Sequence, residues 1–257
     1  MSTKENFREF APPMDMQPNP RPSDYSSLQT SLDTIVAVAR LTYESFYIVD
    51  YHRMNFLYVS ENPFFLCAHS VEEVKQMGFE FYYRHIAEEE LPNFIRVHQA
   101  CFSFIREVRI PDRSNYVSSI NLHLQRPGSQ SELLIHLQET PLMLSENGNV
   151  WLTLCQVSLP ASGRNDETRL FSSRANRSWG FNKLDGRFHE DHSRLILSDI
   201  ERQILHFASR GLSSKEIGAK LYRSAETVRS HKKELFDKLQ VSNIAEAVGV
   251  AISRKLL

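Results

Sequence analysis

The stretch GLSSKEIGAKLYRSAETVRSHKKELFDKL, residues 211–239, decides the fold of the C-terminal part. It reads as two short helices with a tight junction. Ser213 and Ser214 open the first, which runs to Leu221. Ser224 opens the second, its hydroxyl placed to accept from a backbone amide two or three residues on. Val228, Leu235 and Leu239 recur along one side of that second helix. Upstream, Leu197, Ile200, Ile204, Leu205 and Ala208 define another helix, which Gly211 ends. Downstream, Ser242 and Asn243 open a last helix with Ile244, Ala247, Val248, Ala251 and Ile252 at helical spacing. Residues 195–257 are therefore expected to form an all-α, four-helix domain.

A junction this short turns two helices sharply against each other, as in a helix-turn-helix. The second helix carries Arg229, His231, Lys232 and Lys233 over its first two turns. In such a motif the early part of the second helix enters the major groove. Arg can read guanine edges there, and Lys can neutralise phosphates. The charge distribution agrees. The chain of 257 residues is nearly neutral, with 30 Lys and Arg against 31 Asp and Glu. Residues 195–257 hold 11 against 7, a net +4, whereas residues 1–194 hold 19 against 24, a net −5. Positive charge is concentrated on the part with the helix pair.

This segment resembles the LuxR-type helix-turn-helix family. The resemblance rests on Leu197, Ser198, Glu201, Ile204 and Leu205, on Gly211-Leu212-Ser213 with Lys215-Glu216-Ile217, and on Ser224, Thr227-Val228-Arg229 and His231. Lys238-Leu239 and Ala245-Glu246-Ala247 complete it. It implies that Arg229, Ser230, His231 and Lys233 face the groove, and that Lys215, Thr227 and Lys238 contact phosphates. It also implies pairing of two copies through the final helix, with Ile244, Ala247, Val248 and Ala251 at the contact. Three positions depart from the family pattern. Gly218 replaces Ala, at about 1 kcal/mol in a helix interior. Arg223 replaces an aliphatic residue and Ile244 an Arg. A sigma-factor region 4 shares the helix pair, but His231 and the extra apolar helix after Leu239 favour the LuxR type.

The rest of the chain reads differently. Residues 1–27 hold five of the eleven prolines and are expected to form an extended arm. Residues 28–160 begin with a helix (28–41) and two strands, FYIVD (46–50) and FLYVS (56–60). Short helical pieces and a longer amphipathic helix over 90–105 follow. Three strands over 116–125, 131–140 and 150–159 then form an antiparallel meander. This order resembles a PAS domain, with local echoes in FYIVD, FLYVSENPFF, SVEEVKQMGFEFY and IAEEEL. The resemblance implies an α+β fold, a five-stranded antiparallel sheet with helices on one face, used for sensing small molecules or for dimerisation. Residues 161–194 read as a polar linker, with a helical piece around Phe171. Its Phe171, Trp179, Phe181 and Phe188 are expected to pack on a neighbouring domain.

Several function classes are disfavoured. No apolar stretch reaches the roughly 18 residues of a membrane span, and the charged N-terminus is unlike a signal peptide. The scattered Cys67, Cys101 and Cys155 read as reduced core residues in a cytoplasmic protein. Cys67 lies in FFLCAHS, which does not match a photoactive flavin setting. His85 and His98 are the candidates for a haem ligand, and His98 with Cys101, or His189 with His192, for a metal; packing and a polar linker are preferred readings. No cofactor and no catalytic set are expected. An autoinducer receptor would carry several tryptophans in its ligand domain, whereas only Trp151 and Trp179 occur. A phosphorylation receiver would need parallel α/β order. The expected protein is a DNA-binding transcription regulator, with double-stranded DNA and a second copy as partners and RNA polymerase as a further candidate. An autoinducer-receptor-like regulator and a ligand-free PAS dimerisation scaffold are the alternatives.

Overall fold

The computed structural model describes residues 7–128, 131–161, 168–172, 174, 175, 177–191, 196–253 and 256. The chain divides into two compact units. Unit 1 comprises residues 1–160 with 164–191, and unit 2 comprises 161–163 with 192–257.

Unit 1 is built on one antiparallel sheet. Its strands are β1 (Ser45–Asp50), β2 (Asn55–Val59), β3 (Tyr116–Gln125), β4 (Glu132–Leu144), β5 (Val150–Ser158), β6 (Arg169–Ser172), β7 (Arg177–Asn182) and β8 (Arg187–Glu190). They lie in the order β2-β1-β5-β4-β3-β6-β7-β8. The five strands expected from the sequence form one contiguous block. The sheet nonetheless has eight strands among the described residues, not five.

The extra three come from the stretch expected to be a linker. No helix occurs at Phe171; it lies in β6 opposite Val117 of β3. A meander of β6, β7 and β8 extends the sheet from β3. Apolar burial drives this addition. Trp179 packs its ring 5.1 Å from Phe104, and Phe188 stacks near both Phe104 and Phe181.

Strand alternation sends side chains to two cores. Tyr47 and Val49 of β1 face one, with Cys155 and Val157 of β5. That core is covered by α3 (Pro63–Leu66), α4 (Val71–Met77), α5 (Glu80–His85) and α6 (Leu91–Glu107). Phe46 and Ile48 face the other way, onto Leu28, Leu32 and Ile35. Leu32 and Ile35 belong to α2 (Gln29–Leu41), which covers the opposite face of the sheet. Helices thus lie on both faces, because β1 is buried at every position and its apolar Phe46–Val49 need cover on each side.

The N-terminal arm also departs from expectation. Two 3-10 turns, Arg8–Phe10 and Met14–Met16, precede α1 (Pro22–Ser26). Phe10 is fully buried, packing on Phe79, Tyr82, Phe94 and His98. Met16 is buried in the same core. Prolines exclude long helices from this segment, but its apolar side chains still belong inside.

Candidate nucleic-acid interface

Unit 2 consists of α7 (Asp199–Ser209), α8 (Ser214–Leu221), α9 (Ala225–Leu239) and α10 (Ile244–Ser253). Serine caps set the helix starts. Ser198 and Ser213 each form a capping box with the glutamate three residues on. Ser224 Oγ accepts from the Thr227 amide at 3.0 Å, and its hydroxyl lies 2.9 Å from that of Thr227. Asn243 Oδ1 accepts from the Glu246 amide at 2.9 Å.

Between α8 and α9 the backbone reverses at Tyr222, whose φ is 54°. This close turn accounts for Gly218. An added Cβ there would lie 2.6 Å from the Arg223 carbonyl oxygen. Glycine's poor helix propensity is therefore offset by a contact that alanine would crowd. Ile217 and Val228 then meet Ile204 in one small core. Leu205, Leu235, Leu239, Ala247 and Ala251 form a second.

With Val228, Leu235 and Leu239 buried, the opposite side of α9 is exposed. Arg229, Ser230 and Lys233 lie together on that exposed side, one turn of helix apart. Arg229 donates to Glu226 Oε2 from Nε at 3.1 Å and from Nη2 at 2.6 Å. That pair is solvated and is worth little. Lys233 and Lys215 are exposed, and no carboxylate lies within ion-pair distance of either among the described residues. His231 is half-buried beside this face, with Nδ1 3.4 Å from Glu234. Thr227 sits at the helix N-terminus, where backbone amides favour an anion. Lys232, missed as a packed residue, is half-buried, and burial lowers the pKa of its ammonium. Its spacing of four residues from Val228 is the signal that would have placed it.

Three expected site residues are used otherwise. Lys238 Nζ donates to both oxygens of Glu201, at 2.9 and 3.1 Å, and ties α9 to α7. Burial raises the pKa of the Glu201 carboxyl, but Lys238 and the Ser198 cap outweigh it and hold the group below its ordinary value. Ala247 and Ala251, expected at a pairing surface, are fully buried in unit 2's own core. Ile244 and Val248 are half-buried against the same cluster. The exposed side of α10 presents Ala245 and Ile252 instead.

The metal and haem candidates of unit 1 are satisfied by protein groups. His85 places Nδ1 2.9 Å from the Gln125 carbonyl and Nε2 3.1 Å from His69 Nε2. His98 is buried with Nε2 3.2 Å from the Phe10 carbonyl. His189 lies 2.6 Å from Asp185, and His192 falls outside the described residues. The three cysteines are free. Among the described residues no group of three or more His, Cys, Asp or Glu could hold a metal. No described helix is long and apolar enough to cross a membrane.

Residues 195–251 match the family model for bacterial regulatory proteins, luxR family. This segment is a luxR-family helix-turn-helix domain. Curated relatives match over about a quarter of the chain. Fimbriae Z protein of Salmonella typhimurium is 36% identical over 66 residues, 26% of this chain and 31% of that protein. Oxygen regulatory protein NreC of Staphylococcus carnosus is 40% identical over 62 residues, 24% of this chain and 29% of that protein. Transcriptional activator protein BglJ of Escherichia coli K12 is 41% identical over 63 residues, 24% of this chain and 28% of that protein. The chain thus spans less than a third of the length of these relatives. Among solved structures, the phage VqmA–DPO complex aligns at 17% identity over 90% of this chain and 91% of that one, with a TM-score of 0.33. A Vibrio cholerae VqmA dimer aligns at 16% over 88% of each, with a TM-score of 0.35. TM-scores this low carry no argument for the fold.

Proposed function

We propose that this chain is a cytoplasmic transcription regulator that binds double-stranded DNA as a homodimer through its luxR-family domain. One observation carries the reading: Arg229, Ser230 and Lys233 share the exposed side of a helix whose other side is locked into the domain core. In this assignment α9 lies in the major groove. Arg229, Ser230, His231 and Lys233 meet base edges, and Lys215 and Thr227 meet phosphates. Arg229 exchanges Glu226 for the nucleic acid at small cost, since that pair is solvated. Lys238 is left to its internal ion pair. Pairing through α10 would use the side bearing Ala245 and Ile252. RNA polymerase remains a candidate partner, and no catalytic step is assigned.

Unit 1 we read as a PAS-like sensor enlarged by three strands. Its core holds a cavity of about 50 Å³, room for only a few non-hydrogen atoms. The domain organisation proposed is an N-terminal segment packed on the sensor, the sensor itself and the C-terminal reader.

The test is binding of promoter DNA by the full chain and by Arg229→Ala and Lys233→Ala across a range of salt. Each variant should bind more weakly, and Lys233→Ala should reduce the salt slope by roughly one. Full affinity with an unchanged slope in both would remove α9 from the groove.

A further inference from the structure

The cavity of unit 1 has an unusual floor. Glu139 of β4 sits opposite Ser118 of β3 on one side and Cys155 of β5 on the other. It therefore lies near the middle of the sheet, on the side that faces α6, with carboxylate oxygens 3.4 Å from Ser118 Oγ and 3.7 Å from Cys155 Sγ. These are one long hydrogen bond and one weak thiol contact. No Lys or Arg lies within ion-pair distance of it among the described residues. It lines the cavity and keeps part of its surface accessible. Tyr51, His98, Phe102 and Tyr116 line the cavity with it.

A lone carboxylate among apolar neighbours is costly unless something pairs with it. Aromatic faces beside it would favour a cation. We propose that this cavity binds a small organic ligand bearing a protonated nitrogen, with Glu139 as its counter-ion and the aromatic side chains as its walls. The proposal rests on reading unit 1 as a sensor and adds the chemical class of what it senses.

The surrounding titratable groups leave this role to Glu139. Burial raises the pKa values of Tyr47, Tyr51 and Tyr82, and of the Cys155 thiol. It raises Cys101 to about 12, and it lowers His98 to about 4, so that imidazole is neutral at ordinary pH. The same burial raises the Glu139 carboxyl to about 7. An ammonium beside it would favour ionisation. Binding below that pH must then release a proton, and affinity must rise with pH until the carboxyl is ionised.

The test uses the full chain with propylamine, and with propanol as an uncharged counterpart of similar size. Saturable shifts of unit 1 resonances report binding, and the side-chain carboxyl resonance of Glu139 in the wild type reports its ionisation. Propylamine should bind up to about tenfold more tightly at pH 8 than at pH 6, and more tightly than propanol at pH 8. The Glu139 titration midpoint should fall when it binds. Glu139→Gln should lose at least tenfold in amine affinity without altering propanol binding. Absence of saturable amine binding, equal binding of propanol, or an unmoved Glu139 midpoint would overturn the proposal. DNA affinity of the same samples separates the two claims. Amine binding that leaves DNA affinity unchanged keeps the site and removes the sensor. A DNA response to propanol without amine binding does the reverse.

Discussion

Each unit holds a glutamate away from bulk water, and the two have opposite fates. Glu201 of unit 2 is paired with Lys238 and with the Ser198 cap, and its pKa is lowered. Glu139 of unit 1 has only a hydroxyl and a thiol, and its pKa is raised to about 7. The same side chain is a clamp in one place and an unfilled demand in the other. Burial alone does not decide a carboxylate's role; its partner does.

The largest expected effect breaks the unpaired case. A raised folded pKa means the folded state holds the proton longer than the unfolded chain does. Stability of unit 1 should therefore be intact below about pH 4.5 and fall as the pH rises to about 7. Glu139→Gln should flatten that fall and leave the unit more stable by up to about 3 kcal/mol above pH 7. Denaturant melts across pH measure it, and an unchanged pH profile would return Glu139 to the ordinary carboxylates. The paired case should be milder and of opposite sign. Lys238→Met should cost unit 2 about 1–2 kcal/mol near neutral pH, because it leaves the buried Glu201 carboxylate with only the Ser198 cap. That loss should shrink as Glu201 is protonated, so melts at acid pH should converge with wild type. Smallest of all is the exposed pair. Arg229→Ala should change unfolding stability by less than about 0.5 kcal/mol, whatever it does to DNA binding.

Unit 2 was largely legible in the sequence because its signals are local. Ser213, Ser224 and Gly211 act within a few residues of themselves, and the periodicity of Val228, Leu235 and Leu239 marks the buried side directly. What escaped was pairing across helices. Nothing near Lys238 points to Glu201, which is 37 residues away. Ala247 and Ala251 look alike whether they face a second copy or their own bundle. In unit 1 the alternation of strand and turn marked the first five strands. It missed β6–β8, whose short segments are rich in polar residues and gain stability only by adding to an existing edge. Glu139 was within reach. Ile135 and Leu137 point inward, and strand alternation sends Glu139 the same way.

The buried Phe10 also has a consequence in time. It shares a core with His98, and the Phe10 carbonyl meets that imidazole across 88 residues of sequence. β1 likewise waits for β5, since Tyr47 pairs with Cys155. Unit 1 must therefore close long loops before its contacts reward it, which slows assembly. Unit 2, with contacts mostly between successive helices, has shorter loops to close. A ribosome makes unit 1 first, yet unit 2 is the part built to finish quickly once it emerges.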